Sequence, residues 1–103
     1  MSNVLPPGLT ERELGLLREV FARHPELAAV RLYGSRAKGT HTPRSDIDLA
    51  LWPTPGTDLR PEAVASDLDE LPLPYKFDVQ RFDAIDLPAL REQIERGGIS
   101  LWP

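Results

Sequence analysis

The stretch LYGSRAKGTHTPRSDIDLAL (residues 32–51) decides how this chain is interpreted. An apolar run ends in Gly34-Ser35, and after ten intervening residues Asp46-Ile47-Asp48 opens a second apolar run. Glycine permits a tight turn and lets a ligand approach the backbone. Serine can begin a helix, whose first N–H groups and dipole favour anions. The two motifs together predict a phosphate-binding turn beside a pair of acids.

The triplet Asp46-Ile47-Asp48 has the alternation of a β-strand with one polar face. Side chains two residues apart share a face and lie about 6–7 Å apart along the strand. Two carboxylates held in this way repel each other unless a cation lies between them, and Mg²⁺ prefers carboxylate and phosphate oxygens. An isolated Asp-x-Asp is more often a solvated strand edge, and a Gly-Ser turn alone is an ordinary loop. Only their combination favours a metal and phosphate site.

The hydrophobic pattern predicts the order helix, strand, short helix, strand, helix, strand, helix. Thr10 and Glu13 have the spacing of a capping box, and Pro25 ends the first helix. The other predicted elements are strand 28–33, helix 35–38, strand 46–52, helix 61–71, strand 75–82 and a last helix. This last helix is predicted to have Asp86 as its N-cap, an apolar stripe of Leu87, Leu90 and Ile94, and Gly97 as its stop. In strand 75–82, Phe77 and Val79 are predicted on one face and Lys76, Asp78 and Gln80 on the other. This order predicts one α/β (α+β) domain over residues 1–103, with a three- or four-stranded mixed sheet flanked by helices.

Composition narrows the classes of function. The chain has 103 residues, 12 basic and 16 acidic, with a net charge of −4 and no run of basic residues, so direct binding to nucleic acid is disfavoured. Cysteine is absent, which excludes disulfides and Cys-ligated zinc. No segment has the length and apolarity of a membrane span, and the N-terminus lacks a signal-peptide pattern, so we expect a cytoplasmic protein.

The pattern Gly-Ser, spacer, Asp-x-Asp resembles the nucleotidyltransferase superfamily typified by DNA polymerase β. Residues 32–39 together with 44–50 look most like the minimal nucleotidyltransferases of prokaryotes. The resemblance implies that Asp46 and Asp48 bind metal together with a third carboxylate on a later strand. Asp78 is the natural candidate, and Asp83 is the alternative because it falls where that strand should end.

The resemblance also implies the chemistry. Two Mg²⁺ ions held by Asp46, Asp48 and Asp78 would serve an in-line displacement in which pyrophosphate leaves a nucleoside triphosphate, with ATP as the expected donor. Gly34, Ser35 and Arg36 would bind the nucleotide, and Asp78 could accept the proton of the acceptor hydroxyl. Additional residues are ambiguous: Lys38 and Arg44 either add positive charge or are simply solvated. We expect His41 to be exposed and assign it no role.

The acceptor is expected on another protein, because only residues 99–103 follow the predicted core. Minimal nucleotidyltransferases of this kind are commonly paired with a HEPN-domain ribonuclease toxin, which they neutralise by moving AMP onto a tyrosine hydroxyl. The resemblance thus implies an antitoxin in a hetero-oligomer. Two alternatives stay open: an antitoxin that masks its toxin only sterically, and a small-molecule (antibiotic) nucleotidyltransferase subunit. A neighbouring gene for a small helical protein with an Arg-x-x-x-x-His motif would separate them.

Two tryptophans are candidates for contact with such a partner, since tryptophan is enriched at interface hot spots. Trp52 ends the second predicted strand, and Trp102 lies beside Leu101 in the tail. The alternative is that both rings belong to the core, which we favour for Trp52.

Overall fold

The computed structural model describes residues 8–40, 42 and 44–103. Its elements are α1 (Glu11–Ala22), β1 (Leu27–Tyr33), α2 (Ser35–Lys38), β2 (Ile47–Pro53), α3 (Pro61–Asp69), β3 (Phe77–Arg81), a 3₁₀ turn (Phe82–Ala84), α4 (Pro88–Gly97) and β4 (Ile99–Trp102). His41, which we expected to be exposed, lies outside the described residues. No helix in the described ranges has both the length and the apolarity needed to cross a membrane.

The four strands form one mixed sheet in the order β3-β2-β1-β4. Strand β1 pairs antiparallel with β2 and with β4, whereas β2 and β3 run parallel and are joined through α3. A parallel pair needs a crossover connection, and the helix between the two strands supplies it. The predicted fold class, a mixed sheet flanked by helices, is confirmed.

Helix α1 begins as its sequence predicts. The Thr10 side chain accepts from the Glu13 amide at 3.1 Å, and the Glu13 carboxylate accepts from the Thr10 amide at 2.9 Å. This reciprocal capping box satisfies two N–H groups that a helix start leaves free. The helix buries the apolar stripe Leu14, Leu17, Val20 and Phe21.

The two faces of the sheet are covered differently. On one face, α1 and α3 pack on the apolar side chains of the central strands, such as Leu32 and Leu49, and form the main core. On the other face, α4 and the 3₁₀ turn cover a smaller cluster that includes Tyr33, Ala50 and Ile94. Because side chains alternate along a strand, Asp48 shares the second face with Ala50. The acids are therefore placed away from the main core.

The last helix differs from the prediction at its start. Its N-cap is Leu87, without a side-chain hydrogen bond, and Pro88 occupies the first turn. Proline fixes φ near the helical value and needs no N–H partner there, so the helix begins at proline and not after Asp86. Asp86 as N-cap was wrong, and so was Leu87 in the apolar stripe, since Leu87 is 65% exposed. The helix includes Gly97, and Gly98 is its C-cap.

The C-terminal tail is a strand of the sheet. Ile99 to Trp102 form β4, paired antiparallel with β1. Leu101 is fully buried, and the Trp102 ring lies 6.2 Å from the Phe21 ring. Backbone pairing with β1 and burial against α1 therefore hold the tail in the core, and its contact with a partner stays a prediction. Trp52 stacks on Phe82 with ring centroids 4.6 Å apart, as the core interpretation expected.

Candidate active site

Three carboxylates meet where β2 and β3 begin. Asp48 in β2 is the direct partner of Asp78 in β3 in the parallel ladder. Adjacent strands lie about 4.8 Å apart, so the two side chains are neighbours on one face. Asp46 precedes the first residue of β2 and lies two positions before Asp48, on the same side. The structure therefore brings together the three acids that the sequence singles out.

The charges of this carboxylate cluster (Asp46, Asp48 and Asp78) are not balanced by the chain's own cations. Among the described residues, no ion pair involves any of the three. Partial burial, then the charge of Asp78, then that of Asp46 raise the pKa of the Asp48 carboxyl above its ordinary value. Removal from water and like charge both disfavour the ionised form. A cation from outside the chain would relieve both effects.

The carboxylate cluster suits Mg²⁺ better than a metal that needs a closed cage. In the described part of the chain, no group of three acidic, histidine or cysteine side chains is close enough to enclose an ion by itself. Mg²⁺ commonly binds through one or two carboxylates and completes its shell with water and substrate phosphates. Hard oxygen ligands, an uncompensated negative charge and an incomplete protein shell fit that behaviour.

Gly34 lies directly against Asp48. A Cβ atom built at Gly34 would overlap Asp48 Oδ2 and stand 3.2 Å from its Cγ. Gly34 also has φ 77° and ψ −153°, a conformation that only glycine adopts readily. The sequence assigned this glycine to the approach of a phosphate, and the structure adds a second reason. The missing side chain makes room for a carboxylate of the cluster.

Ser35 begins the one-turn helix α2, which ends at Gly39 in the left-handed conformation. The helix has the predicted bounds. Its turn is closed by the Lys38 amide donating to the Gly34 carbonyl and the Thr40 amide donating to the Ser35 carbonyl. Ser35 therefore stands at the junction between β1 and α2, next to the glycine that contacts Asp48. Lys38 is exposed at the other end of α2.

Arg36 points into the protein. It is 1% exposed, the lowest exposure of any charged residue in the described chain. Its guanidinium donates to the Ser45 carbonyl at 3.2 and 3.1 Å and to the Gly8 carbonyl at 3.3 Å. It also lies 4.8 Å from the centre of the Tyr75 ring. Arg36 therefore holds neighbouring loops together. Its buried position does not favour the predicted role in nucleotide binding.

Asp78 and Asp83 occupy different surroundings. Asp83 lies in the 3₁₀ turn after β3, where both of its oxygens accept from Arg81, at 2.9 and 2.7 Å. The Arg81 hydrogen bond is the main cause that lowers the pKa of Asp83. Asp78, in contrast, is exposed and in register with Asp48. The geometry therefore favours Asp78 over Asp83 as the third carboxylate.

Tyr33 is a residue of this site that the sequence interpretation missed. It pairs with Asp48 in the antiparallel ladder, and its buried hydroxyl accepts from the Gln80 amide at 3.0 Å. Burial and the charges of Asp78 and Asp48 raise the pKa of Tyr33 to about 12. The phenol therefore stays protonated beside the acids. Strand alternation could have placed Tyr33 on their face once the β1–β2 register was known.

A protein family and several solved structures are similar to this chain. Residues 16–103 match the family described as "Polymerase beta, Nucleotidyltransferase". A search of curated protein sequences finds no match. Among solved structures, a chain of a toxin–antitoxin crystallised with AMP-PNP is 24% identical, with a TM-score of 0.69 over 86% of this chain and 72% of that one.

Two further solved structures are similar. A chain of a mutant MntA-HpeT toxin–antitoxin is 28% identical, with a TM-score of 0.64 over 91% of this chain and 72% of that one. The other is a complex of a tri-AMPylated Shewanella oneidensis HEPN toxin with MNT antitoxin. One chain of this complex is 23% identical to the present chain, with a TM-score of 0.56 over 88% of this chain and 66% of that one. The family match spans most of the chain and includes every residue of the carboxylate cluster. The chain belongs to the polymerase beta nucleotidyltransferase family.

Proposed function

We propose that this protein is a Mg²⁺-dependent nucleotidyltransferase that moves AMP from ATP to a hydroxyl, that of a tyrosine, on a HEPN-domain toxin and thereby acts as its antitoxin. The observation that carries the proposal is the carboxylate cluster, with Asp48 against Gly34 and in register with Asp78. The family match and the likeness to toxin–antitoxin chains support the proposal. One of those toxin–antitoxin structures contains AMP-PNP, and another contains an AMPylated toxin.

Asp46, Asp48 and Asp78 would hold two Mg²⁺ ions. When bound, these ions neutralise charge on the triphosphate and stabilise the attacking and leaving oxygens of an in-line displacement. The acceptor oxygen forms a bond to the α-phosphorus, the bond to the bridging oxygen breaks, and pyrophosphate leaves. Asp78 is the exposed acid of the paired strands, so it is the group placed to take the proton of the incoming hydroxyl.

Gly34 and Ser35 would bind the β- and γ-phosphates. The Asp48 carboxylate packs directly against the Gly34 backbone, so a phosphate that shares a metal ion with the cluster would lie beside this turn. The Ser35 hydroxyl can donate a charge-assisted hydrogen bond, worth about 1.5–3 kcal/mol. Tyr33, protonated and held by Gln80, closes the β1 side of the cluster.

A protein acceptor fits the exposure of the site. Asp46 and Asp78 are both exposed, and Asp48 is only partly buried. A tyrosine on a docked protein can reach acids arranged in this way without a deep pocket. One similar structure is a complex with a HEPN toxin, and a protein of that kind is the expected partner.

The test uses the protein with a HEPN protein encoded beside it, α-labelled ATP and Mg²⁺. We expect label on the partner with Mg²⁺ and none with a chelator. Asp78→Asn should lower the rate at least about a hundredfold, a loss typical of removing one group that stabilises charge at the reacting centre. Asp83→Asn is the matched control and should retain transfer.

Three outcomes would contradict parts of this proposal. Toxin neutralisation by a protein that transfers no label would support the sterically masking antitoxin instead. Loss of transfer in Asp83→Asn but not in Asp78→Asn would reassign the third carboxylate. Label on a small molecule in place of the partner would favour the small-molecule enzyme.

A further inference from the structure

A cleft opens beside Asp46 of the carboxylate cluster. It has a volume of about 350 Å³ and lies between the loop that precedes β2 and the loop that precedes β3. One wall consists of Arg44, Ser45 and Asp46, and the other consists of Pro74, Tyr75 and Lys76. At this size the cleft is near the lower end of ligand pockets, so it suits a phosphoryl group with its ester better than a whole nucleotide.

The walls of this cleft are fixed by internal bonds. The Ile47 amide donates to the Lys76 carbonyl at 2.8 Å, which ties the two loops together at the base of the cleft. Buried Arg36 joins both walls, since it donates to the Ser45 carbonyl and lies on the Tyr75 ring. The Tyr75 hydroxyl donates to Glu13 at 2.7 Å and so anchors its wall to α1. A ligand therefore meets a preformed cleft.

The rim of the cleft carries two cations that the described chain does not neutralise. Arg44 and Lys76 are exposed on opposite walls, and neither makes an ion pair with any described residue. Both would gain from an anion between them. A phosphate accepts hydrogen bonds from arginine and lysine, and charge-assisted bonds of this kind are about twice as strong as neutral ones.

We propose that Arg44 and Lys76 form a phosphate subsite that binds one phosphoryl group between the two walls of this cleft. The inference rests on the proposed function, which brings phosphate to the adjacent acids, and it names the group that the cleft takes. That phosphate has two possible sources. It belongs to the triphosphate tail of the donor or to the phosphodiester of an acceptor that already carries a nucleotide.

The test compares two double variants that each remove two positive charges. Arg44→Gln with Lys76→Gln alters the cleft, while Arg60→Gln with Arg96→Gln alters exposed cations elsewhere, whose side chains are 69% and 81% exposed. Two probes are titrated by calorimetry: Mg²⁺-tripolyphosphate, and a tyrosine peptide that carries AMP through a phosphodiester. Circular dichroism confirms that each variant is folded.

We expect the cleft variant to lose at least about tenfold in affinity for one probe, the loss of one charge-assisted bond, while the control keeps wild-type affinity. Loss confined to tripolyphosphate assigns the subsite to the donor. Loss confined to the peptide assigns it to the modified acceptor, and that variant should then add a first AMP but not later ones.

Equal affinities in the cleft variant and the control, for both probes, would overturn the subsite. So would a wild-type protein that binds neither probe. If the wild type binds a probe through Arg44 and Lys76 but transfers no AMP, the proposed function fails while the phosphate subsite stands.

Discussion

Two groups of acids in this chain are built in opposite ways. At the ends of α1 and α3, His24 lies between Glu26 and Asp67, with each ring nitrogen 2.8 Å from a carboxylate oxygen. Each nitrogen thus contacts a different carboxylate, so one side chain serves both acids. The carboxylate cluster at the start of β2 and β3 has no such partner among the described residues, and the pKa of its Asp48 is raised. The acids of the first group have their partner within the fold, whereas the carboxylate cluster needs a cation from outside the chain.

This difference separates a structural group from a functional one. Acids that a protein pairs with its own cations contribute to stability, although exposed pairs contribute little. Acids held together without a partner cost free energy, and such costs concentrate where ligands bind. The His24 group (His24, Glu26 and Asp67) should therefore matter for the fold, and the carboxylate cluster for catalysis.

The largest effect should come from filling the space beside Asp48. In Gly34→Ala the new Cβ would overlap Asp48 Oδ2. We expect AMP transfer to fall at least about a hundredfold because the displaced carboxylate leaves the cluster. The strained backbone should also cost about 1–3 kcal/mol of stability. Transfer rate and thermal unfolding are measured on the same preparation.

Gly39→Ala is the control for backbone strain. Gly39 has φ 76°, but nothing lies within 4 Å of a Cβ built there. It should lose stability and keep most of its transfer rate. If both variants lose transfer equally, the space beside Asp48 has no special importance.

The next effect concerns Arg36, a cation near the carboxylate cluster that is bonded to neutral carbonyls. Arg36→Met keeps much of the buried volume but leaves the Ser45 and Gly8 carbonyls without their donor. We expect a loss of about 1.5–3 kcal/mol in the free energy of unfolding. In the folded fraction, the KM for ATP should change little. A large rise in KM with unchanged stability would restore Arg36 to the nucleotide site.

A smaller effect is expected in the His24 group. Asp67→Ala removes one of the two carboxylates that contact His24. The expected loss is about 1 kcal/mol of stability, because the pair is only partly buried. The transfer rate should not change. Urea unfolding measures the first quantity, and loss of transfer in a folded Asp67→Ala protein would show that the two groups are coupled.

Much of the fold and of the carboxylate cluster could be predicted from local sequence patterns. The capping box at Thr10 and the short helix after Gly34 depend on neighbours in sequence, and both are confirmed. Strand alternation placed Phe77 and Asp78 on opposite faces, which agrees with Phe77 packing on the core while Asp78 is exposed. The family pattern pointed to the acids themselves.

Other features depend on contacts between distant parts of the chain. Arg36 lies in a short polar helix, where an arginine is usually solvated. It is buried here because its guanidinium bonds to the Gly8 and Ser45 carbonyls and lies over the Tyr75 ring. Strand β4 is four residues long and is defined by its pairing with β1. The contact of Gly34 with Asp48 needs the β1–β2 register. No local pattern encodes these positions.

The smallest effect is a difference in pH dependence, measured without divalent ions. The raised pKa of Asp48 means that its carboxyl favours the fold below its ordinary pKa, and this contribution is lost as pH rises through the raised value. For Glu26, a hydrogen bond from its own backbone amide and another from His24 lower the pKa. Its contribution is present above its ordinary pKa and is lost as pH falls through the lowered value.

Acidification from about pH 7 to about pH 3, across the carboxyl range, should therefore change the stability contributions of Asp48 and Glu26 in opposite directions. It should stabilise the wild type relative to Asp48→Asn and destabilise it relative to Glu26→Gln. Melting temperatures of the three proteins in a chelator give both differences. Parallel trends in the two comparisons would mean that the two acid groups do not differ as described.

The most direct test of the carboxylate cluster is the unfolding free energy of Asp48→Asn beside that of the wild type, first in a chelator and then with Mg²⁺ and AMP-PNP. Without metal, the variant should be at least as stable as the wild type, because one repelling charge is gone. With Mg²⁺ and AMP-PNP, only the wild type should gain stability, through preferential binding to the folded state. A variant that is less stable in the chelator and gains as much from Mg²⁺ and AMP-PNP as the wild type would contradict the account.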